Sequence, residues 1–245
     1  MAKSDAAKSD APQDGAPQDS AAQDDAPQDG AARSPRERYR AQVRAEIKER
    51  AWEQIATAGA TALSLNAIAK KMGLSGPALY RYYASRDEVI TELVRDAYQS
   101  LADTLRTAAD DGAGLDGLAH ALRAWALEDP QRYLLIYGTP VPGYHAPADV
   151  TGIATEVMEV LLDACAELPD TGPAAPFAAH LADHRDWTDG HPAPPAALHR
   201  ALTFWTRLHG VLSLEAAGHF TTMGFDPEQL FSAELDSLLA PASGA

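Results

Sequence analysis

Residues 64–83 read SLNAIAKKMGLSGPALYRYY, and the fold class turns on how this stretch divides. Ser64 is placed to cap a short helix that carries Ile68, Ala69 and Met72. Gly73 ends it, because the turn needs a left-handed backbone that glycine adopts without steric penalty. Leu74 plugs the turn. Ser75 caps a second helix, Pro77 sits in its first turn, where no amide donor is needed, and Leu79 faces inward. Ala69 is small where the second helix crosses over it. Two short helices joined by a tight glycine turn make a helix-turn-helix, whose second helix is of a size to enter the DNA major groove. The same residues also suit an αα-corner in a plain helical protein, so the flanks must decide.

Upstream, Val43, Ile47, Ala51 and Ile55 recur every fourth residue, one face of a helix that Gly59 stops. Downstream, Ser85-Arg86-Asp87-Glu88 has the form of a capping box. It opens a long helix marked by Val89, Ile90, Leu93, Val94, Ala97, Leu101 and Leu105. Further helices are predicted over 115–128, 130–137, 150–168, 195–220 and 227–239. The chain holds only eight Val and six Ile, and no stretch alternates apolar and polar for long. The expected class is all-α: an N-terminal three-helix helix-turn-helix domain, then a helical ligand-binding and dimerisation domain.

Charge is unevenly placed along the 245 residues. The net charge of -15 divides into -5 over residues 1–32, +4 over 33–100 and -14 over 101–245. A basic segment inside an acidic protein marks where a polyanion could bind. The single cysteine, Cys165, excludes an intramolecular disulfide framework and any CxxC-type metal site. No apolar run of about 18 residues is present, so no membrane span is expected. The first 30 residues lack the apolar centre of a secretory signal, and a cytoplasmic setting is the expectation. Residues 11–30 repeat a pentapeptide four times (APQDG, APQDS, AAQDD, APQDG) without one Leu, Ile, Val or aromatic. Nothing there offsets the entropy of ordering, so 1–35 is expected to be a disordered acidic tail. An acidic arm that competes with DNA is the functional alternative.

The flanks carry a resemblance. Residues 47–90, IKERAWEQIATAGATALSLNAIAKKMGLSGPALYRYYASRDEVI, resemble the N-terminal domain of TetR-type transcriptional regulators. Ala69, Gly73, Leu79, Tyr80, Tyr83 and Arg86 all fall in register. The resemblance implies a dimeric, all-helical, ligand-responsive DNA-binding protein. Its DNA-binding domain would span 36–98 and its regulatory domain 99–245. It implies that Ser64 and Asn66 lie at a helix start that favours a phosphate, with Asn66 also in reach of a base edge. Ser75 would meet a phosphate, and Pro77 and Ala78 bases or thymine methyls. Arg81 is the best bidentate guanine reader in the stretch. Tyr80 and Tyr82 would bond phosphates, Tyr83 would anchor the core, and Arg86 would clamp a flanking phosphate. Gly76 departs from the polar residue common there, which leaves more of the reading to Arg81, Asn66 or DNA shape.

More loosely, WALEDPQRYLLIYGTPVPGYHAP (125–147) and WTRLHGVLSLEAAGHF (205–220) resemble a TetR regulatory domain named for a Trp-His-Gly signature, here Trp205, His209 and Gly210. Trp205 and His209 share a helical face. The resemblance implies a four-helix dimer interface from about 195–218 and 227–239 of each subunit. An effector pocket would lie between helices, with Trp125, Tyr133, Tyr137, Tyr144, Met158 and His209 as its candidate lining. Each of these aromatics also suits a plain core position, and His209 a satisfied core histidine.

Competing chemistry fares less well. Gly112-Ala113-Gly114-Leu115-Asp116-Gly117 matches GxGxxG but follows no strand, and reads as a loop. His180, Asp183, His184, Asp186, Asp189 and His191 sit in a Pro- and Asp-rich connector without metal-ligand spacing, and read as a solvated loop. No catalytic triad, phosphate loop, metal or cofactor is expected. The sequence therefore points to a repressor released from an inverted-repeat operator by a small molecule. The alternative is a helical small-molecule-binding protein without operator activity.

Overall fold

A computed structural model describes residues 34–169 and 176–240, and every regular element among them is helical. The sequence-based expectation of disorder falls on residues outside this set, except for Ser34 and Pro35. Those two begin helix α1 (Pro35–Ala58) with a complete capping box, Ser34 Oγ accepting from Glu37 N–H and the Glu37 carboxylate from Ser34 N–H. Val43, Ile47, Ala51 and Ile55 form its buried face, as their spacing predicts. A short 3-10 turn over Ala60–Ala62 leads into α2 (Leu65–Lys71) and α3 (Gly76–Leu79).

Helix α4 (Arg86–Asp110) has 25 residues, a length of about 37 Å. Its capping differs from the predicted box. Ser85 Oγ accepts the Glu88 amide at 3.1 Å, but Glu88 Oε2 accepts from Ala84 N–H, one residue before the cap. One helix serves two cores. Val89, Ile90, Leu93 and Val94 pack with α1–α3, whereas Leu101, Ala102 and Leu105 pack in the second core. The first core also takes Val141 and Val150 from beyond α4.

The second core lies among α5 (Leu115–Glu128), α6 (Pro130–Tyr137), α7 (Ala148–Glu167), α8 (Pro176–Asp183), α9 (Pro195–Ala216) and α10 (Pro227–Leu239). Helix α8 lies in the stretch read as a connector, and of its own residues only Ala178 and Leu181 are buried, too few to mark a face by spacing. Helix α9 stops four residues before its predicted end, because Gly218 turns left-handed (φ 77°) and its amide returns to Glu215 C=O at 2.9 Å. The carbonyls that α7 leaves open at its end are met by one side chain. Arg200 donates to Cys165, Leu168 and Pro169 C=O at 2.6, 3.2 and 3.0 Å. The GxGxxG match is the α4–α5 turn, running into the first turn of α5.

Candidate DNA-binding and effector sites

Local rules build the helix-turn-helix. Ser64 Oγ accepts the Ala67 amide and Ser75 Oγ the Ala78 amide, both at 3.3 Å. Each hydroxyl keeps its own proton for an outside acceptor. Gly73 is left-handed (φ 68°), and the Leu74 amide returns to Ala69 C=O at 2.8 Å, closing α2. Ala69, Ile68 and Leu79 are buried beneath the turn, and Tyr83 is fully buried. Burial raises the Tyr83 phenol to about 12. Helix α3 is one turn long and continues as a hydrogen-bonded turn, Tyr82 N–H donating to Leu79 C=O at 2.8 Å. The outward surface of this unit holds Asn66, Ser75, Pro77, Tyr80 and Arg81, all exposed. Ser64, Gly76, Ala78 and Tyr82 are half-buried beside them. A Cβ on Gly76 would stand 3.4 Å from Asn66 Oδ1, so Asn66 lies against the start of α3.

Arg86 departs from the phosphate role that the resemblance implies. Its guanidinium donates to Ala60 C=O at 2.7 Å and Thr61 C=O at 3.1 Å, tying the start of α4 to the 3-10 turn. The Ala60 carbonyl also accepts from Leu63 N–H at 3.3 Å, so the guanidinium adds a second donor there and is drawn inward.

Two further arginines that contribute to the basic charge of 33–100 act in the same way. Arg44 donates to Tyr82 C=O at 2.8 Å, lies 4.1 Å from the Tyr83 ring centre, and faces Glu92 at 3.5 Å and Glu88 at 3.8 Å. Arg40 donates to Arg81 C=O at 3.2 Å. Lys48 pairs with Asp96 and Lys71 with Glu53, both at 2.5 Å, and Arg95 with Asp149 at 2.5 Å. The Lys71 contact holds the Glu53 carboxyl below its usual range, and Arg95 does the same for Asp149. Much of the segment's positive charge is thus internal scaffolding. Arg36, Arg38, Lys70 and Arg81 are exposed and make no ion pair among the described residues. No motif or spacing marks Gln54, whose amide clamps the Ser64 backbone from α1, with Ser64 N–H donating to Oε1 at 2.9 Å.

The six effector candidates do not surround one cavity. Tyr133 and Tyr137 from α6 stack with Trp205 and His209 from α9, with ring centres 4.0–5.7 Å apart around His209. The Tyr133 hydroxyl lies 2.9 Å from His209 Nδ1 and 3.0 Å from Ser213 Oγ. His209 Nε2 and the Tyr137 hydroxyl are buried without a partner. Burial lowers His209 to about 4, so its ring is neutral near pH 7. Trp125 donates to Ser100 Oγ at 3.1 Å under the Arg132 guanidinium. Met158 packs against the second core, and Tyr144 against the first. The cavity is aliphatic and lies one layer away, between α4, α5, α7 and α9. Leu105, Leu118, Leu122, Val157, Leu161, Phe204 and Trp205 line a narrow gap with room for little more than one water-sized sphere. Helical spacing identifies a buried face but not which buried side chains leave a gap.

Within the connector, His180 and His184 stack at 3.9 Å and His191 Nε2 lies 3.1 Å from Asp163 Oδ1. Among the described residues no cluster of three His, Cys, Asp or Glu side chains is placed to hold a metal ion, and no helix is long and apolar enough to cross a membrane.

A capped helix-turn-helix joined by one long helix to a separate helical domain defines a class, the DNA-binding transcriptional regulators with a regulatory domain. The chain belongs to the tetR family of bacterial regulatory proteins: residues 47–93 match that family's DNA-binding region, and residues 115–238 match the tetracyclin repressor-like C-terminal domain. It is 37% identical over 217 residues to the HTH-type transcriptional regulator Rv1816 of Mycobacterium tuberculosis, covering 82% of this chain and 92% of that one. The crystal structure of regulatory protein SCO4313 is 70% identical, with a TM-score of 0.79, over 85% of this chain and 100% of that one. PfmR, a TetR family regulator from Thermus thermophilus, shares the fold at 16% identity, with a TM-score of 0.51 over 81% of this chain and 99% of that one. These relatives are regulators, and the chain is not an enzyme. The C-terminal match lends no support to the Trp-His-Gly subgroup.

Proposed function

We propose that the protein is a cytoplasmic, homodimeric repressor that binds an inverted-repeat operator and is released by a small-molecule effector. The observation that carries the DNA reading is Arg81. It stands exposed at the end of α3, and its backbone carbonyl is held by Arg40, while its guanidinium has no ion-pair partner among the described residues. It reads guanine, while Ser64, Ser75, Tyr80 and Tyr82 offer neutral donors to phosphates, and Asn66, Gly76, Pro77 and Ala78 face the base edges. The domains divide within α4 near residue 98, where the side chains pass from one core to the other.

Two recognition helices about a two-fold axis double the readout and require a symmetric operator. The open face of α9 and α10 supports the pairing. Gly210 is exposed, and a Cβ there would meet no atom of its own chain within 4 Å. Thr206 and Leu214 lie one turn to either side and are also exposed. Because α4 is shared by both domains, an effector that shifts the regulatory helices alters the spacing of the recognition helices.

Selection of bound DNA from a random pool tests this reading. The expected result is an inverted repeat, with Arg81→Ala losing preference at one position per half-site by about 1–3 kcal/mol. No enrichment, or an unchanged preference in the variant, overturns it.

A further inference from the structure

The surface of the helix-turn-helix is basic, and its own neighbours leave it so. No carboxylate occurs between Glu53 and Asp87, the stretch that holds α2, α3 and the turn after it. Lys70 and Arg81 are exposed there without an ion pair among the described residues. Lys70 shares the outer row of α2 with Asn66, which lies against the start of α3. Helix α1 adds a third charge. Arg40 and Arg44 donate to the Arg81 and Tyr82 carbonyls, so the row of α1 that recurs every fourth residue points at the end of α3. Arg36 continues that row one turn further out, exposed and without an ion pair among the described residues.

The chain enters α1 at this same place. Ser34 caps the helix about 9 Å along its axis from Arg40. Immediately before it, residues 9–32 hold six aspartates, Asp10, Asp14, Asp19, Asp24, Asp25 and Asp29, and no lysine or arginine. A segment of that length reaches up to about 80 Å, so every part of the basic surface is within its range. Resting on the DNA reading above, we propose that this surface has a second occupant, the aspartate repeat of residues 9–32 of the same subunit. Its carboxylates pair with Arg36, Lys70 and Arg81 in place of phosphates and leave when DNA binds. Each exposed pair contributes little alone. Tethering changes the balance: a segment anchored at the edge of its target acts at an effective concentration on the order of millimolar. Pairing too weak to hold two separate molecules together therefore competes within one. Specific and random duplexes displace the same carboxylates, so the arm lowers affinity for both by one factor. It sets how much of the protein rests on DNA at a given salt concentration, and leaves the preferred sequence unchanged.

Carbodiimide coupling of the full-length protein tests this, because it joins a carboxylate to an amine only where the two touch. The expected product links the tryptic peptides 9–33 and 51–71 through Lys70. It should disappear in about 0.5 M salt, where contacts between exposed charges are screened, and on addition of a random-sequence duplex. Lys48, already held by Asp96, is expected to give no link to the repeat. A variant with Asp10→Asn, Asp14→Asn, Asp19→Asn, Asp24→Asn, Asp25→Asn and Asp29→Asn keeps the length of the arm and removes its charge. It should bind the duplex about fivefold more tightly at low salt, a gain that shrinks to within about twofold at about 0.3 M. No link to Lys70, equal linking of Lys48, a link that survives the duplex, or unchanged affinity in the variant overturns the proposal. Tighter binding by the variant without any link in the parent also overturns it, since long-range repulsion then accounts for the gain. The link is read without DNA, so its absence leaves the operator reading standing. A salt-sensitive link to Lys70 in a protein that selects no DNA sequence would overturn the operator reading instead.

Discussion

Replacing Arg86 by alanine is expected to weaken the fold and leave the salt dependence of DNA binding unchanged. The guanidinium lies 2.7 Å from Ala60 C=O and 3.1 Å from Thr61 C=O. A hydrogen bond to a charged group contributes about 1.5–3 kcal/mol to stability. Two such bonds do not add in full here, because Thr61 is exposed and its carbonyl recovers water when the side chain is removed. The Arg86 side chain is itself 31% exposed, which screens its charge. The net loss is placed at about 2 kcal/mol. At a urea slope of about 2 kcal/mol/M this lowers the unfolding midpoint by about 1 M, measured at one protein concentration. Arg86→Lys, which has a point charge in place of a fork, should recover about half of the loss. Removing a phosphate contact would instead lower the slope of log K against log salt by about 0.9 per contact. An unchanged urea midpoint with a shallower salt slope would refute the scaffolding role and restore Arg86 to the DNA surface.

Arg44→Met should lower DNA affinity without touching DNA. The lost anchor on the Tyr82 carbonyl and Tyr83 ring frees the segment that carries Arg81; a full-affinity variant in an electrophoretic shift would count against this. Gly210→Arg should give monomers in light scattering, while circular dichroism stays that of the parent, since the added side chain meets no atom of its own subunit. Stability should fall as pH drops from about 6.5 to 4. His209 is neutral when folded, with its value lowered to about 4 by burial, whereas the unfolded chain takes up its proton below 6.5. The contribution is complete above 6.5 and decreases by up to about 3 kcal/mol on reaching 4. The groups facing the ring, Tyr133, Tyr137, Trp205 and Ser213, do not titrate in that window. His209→Phe should flatten this part of the profile, and an unflattened one would place the effect elsewhere.

Short-range features of the chain are legible without coordinates. Ser64, Ser75 and Ser85 each cap an amide three residues on, Gly73 turns the chain within one residue, and Val43, Ile47, Ala51 and Ile55 mark a face by spacing alone. All of these act within a helical turn or two, so order along the chain is enough to identify them, and the helix-turn-helix with them. Only the tertiary structure decides which polar side chains face outward. Arg86 meets a carbonyl 26 residues away, Arg44 one 38 away and Arg200 one 35 away. An arginine that braces a turn and an arginine that could clamp a phosphate are the same letter in the same helix, and a carbonyl within reach decides between them only once the chain has folded. The apolar gap of the second core follows the same rule. The periodicity of α6 and α9 puts Tyr133, Tyr137 and His209 inside, but whether helices meet tightly or leave a gap depends on side-chain volumes from four of them at once, and here the gap lies beyond Trp205.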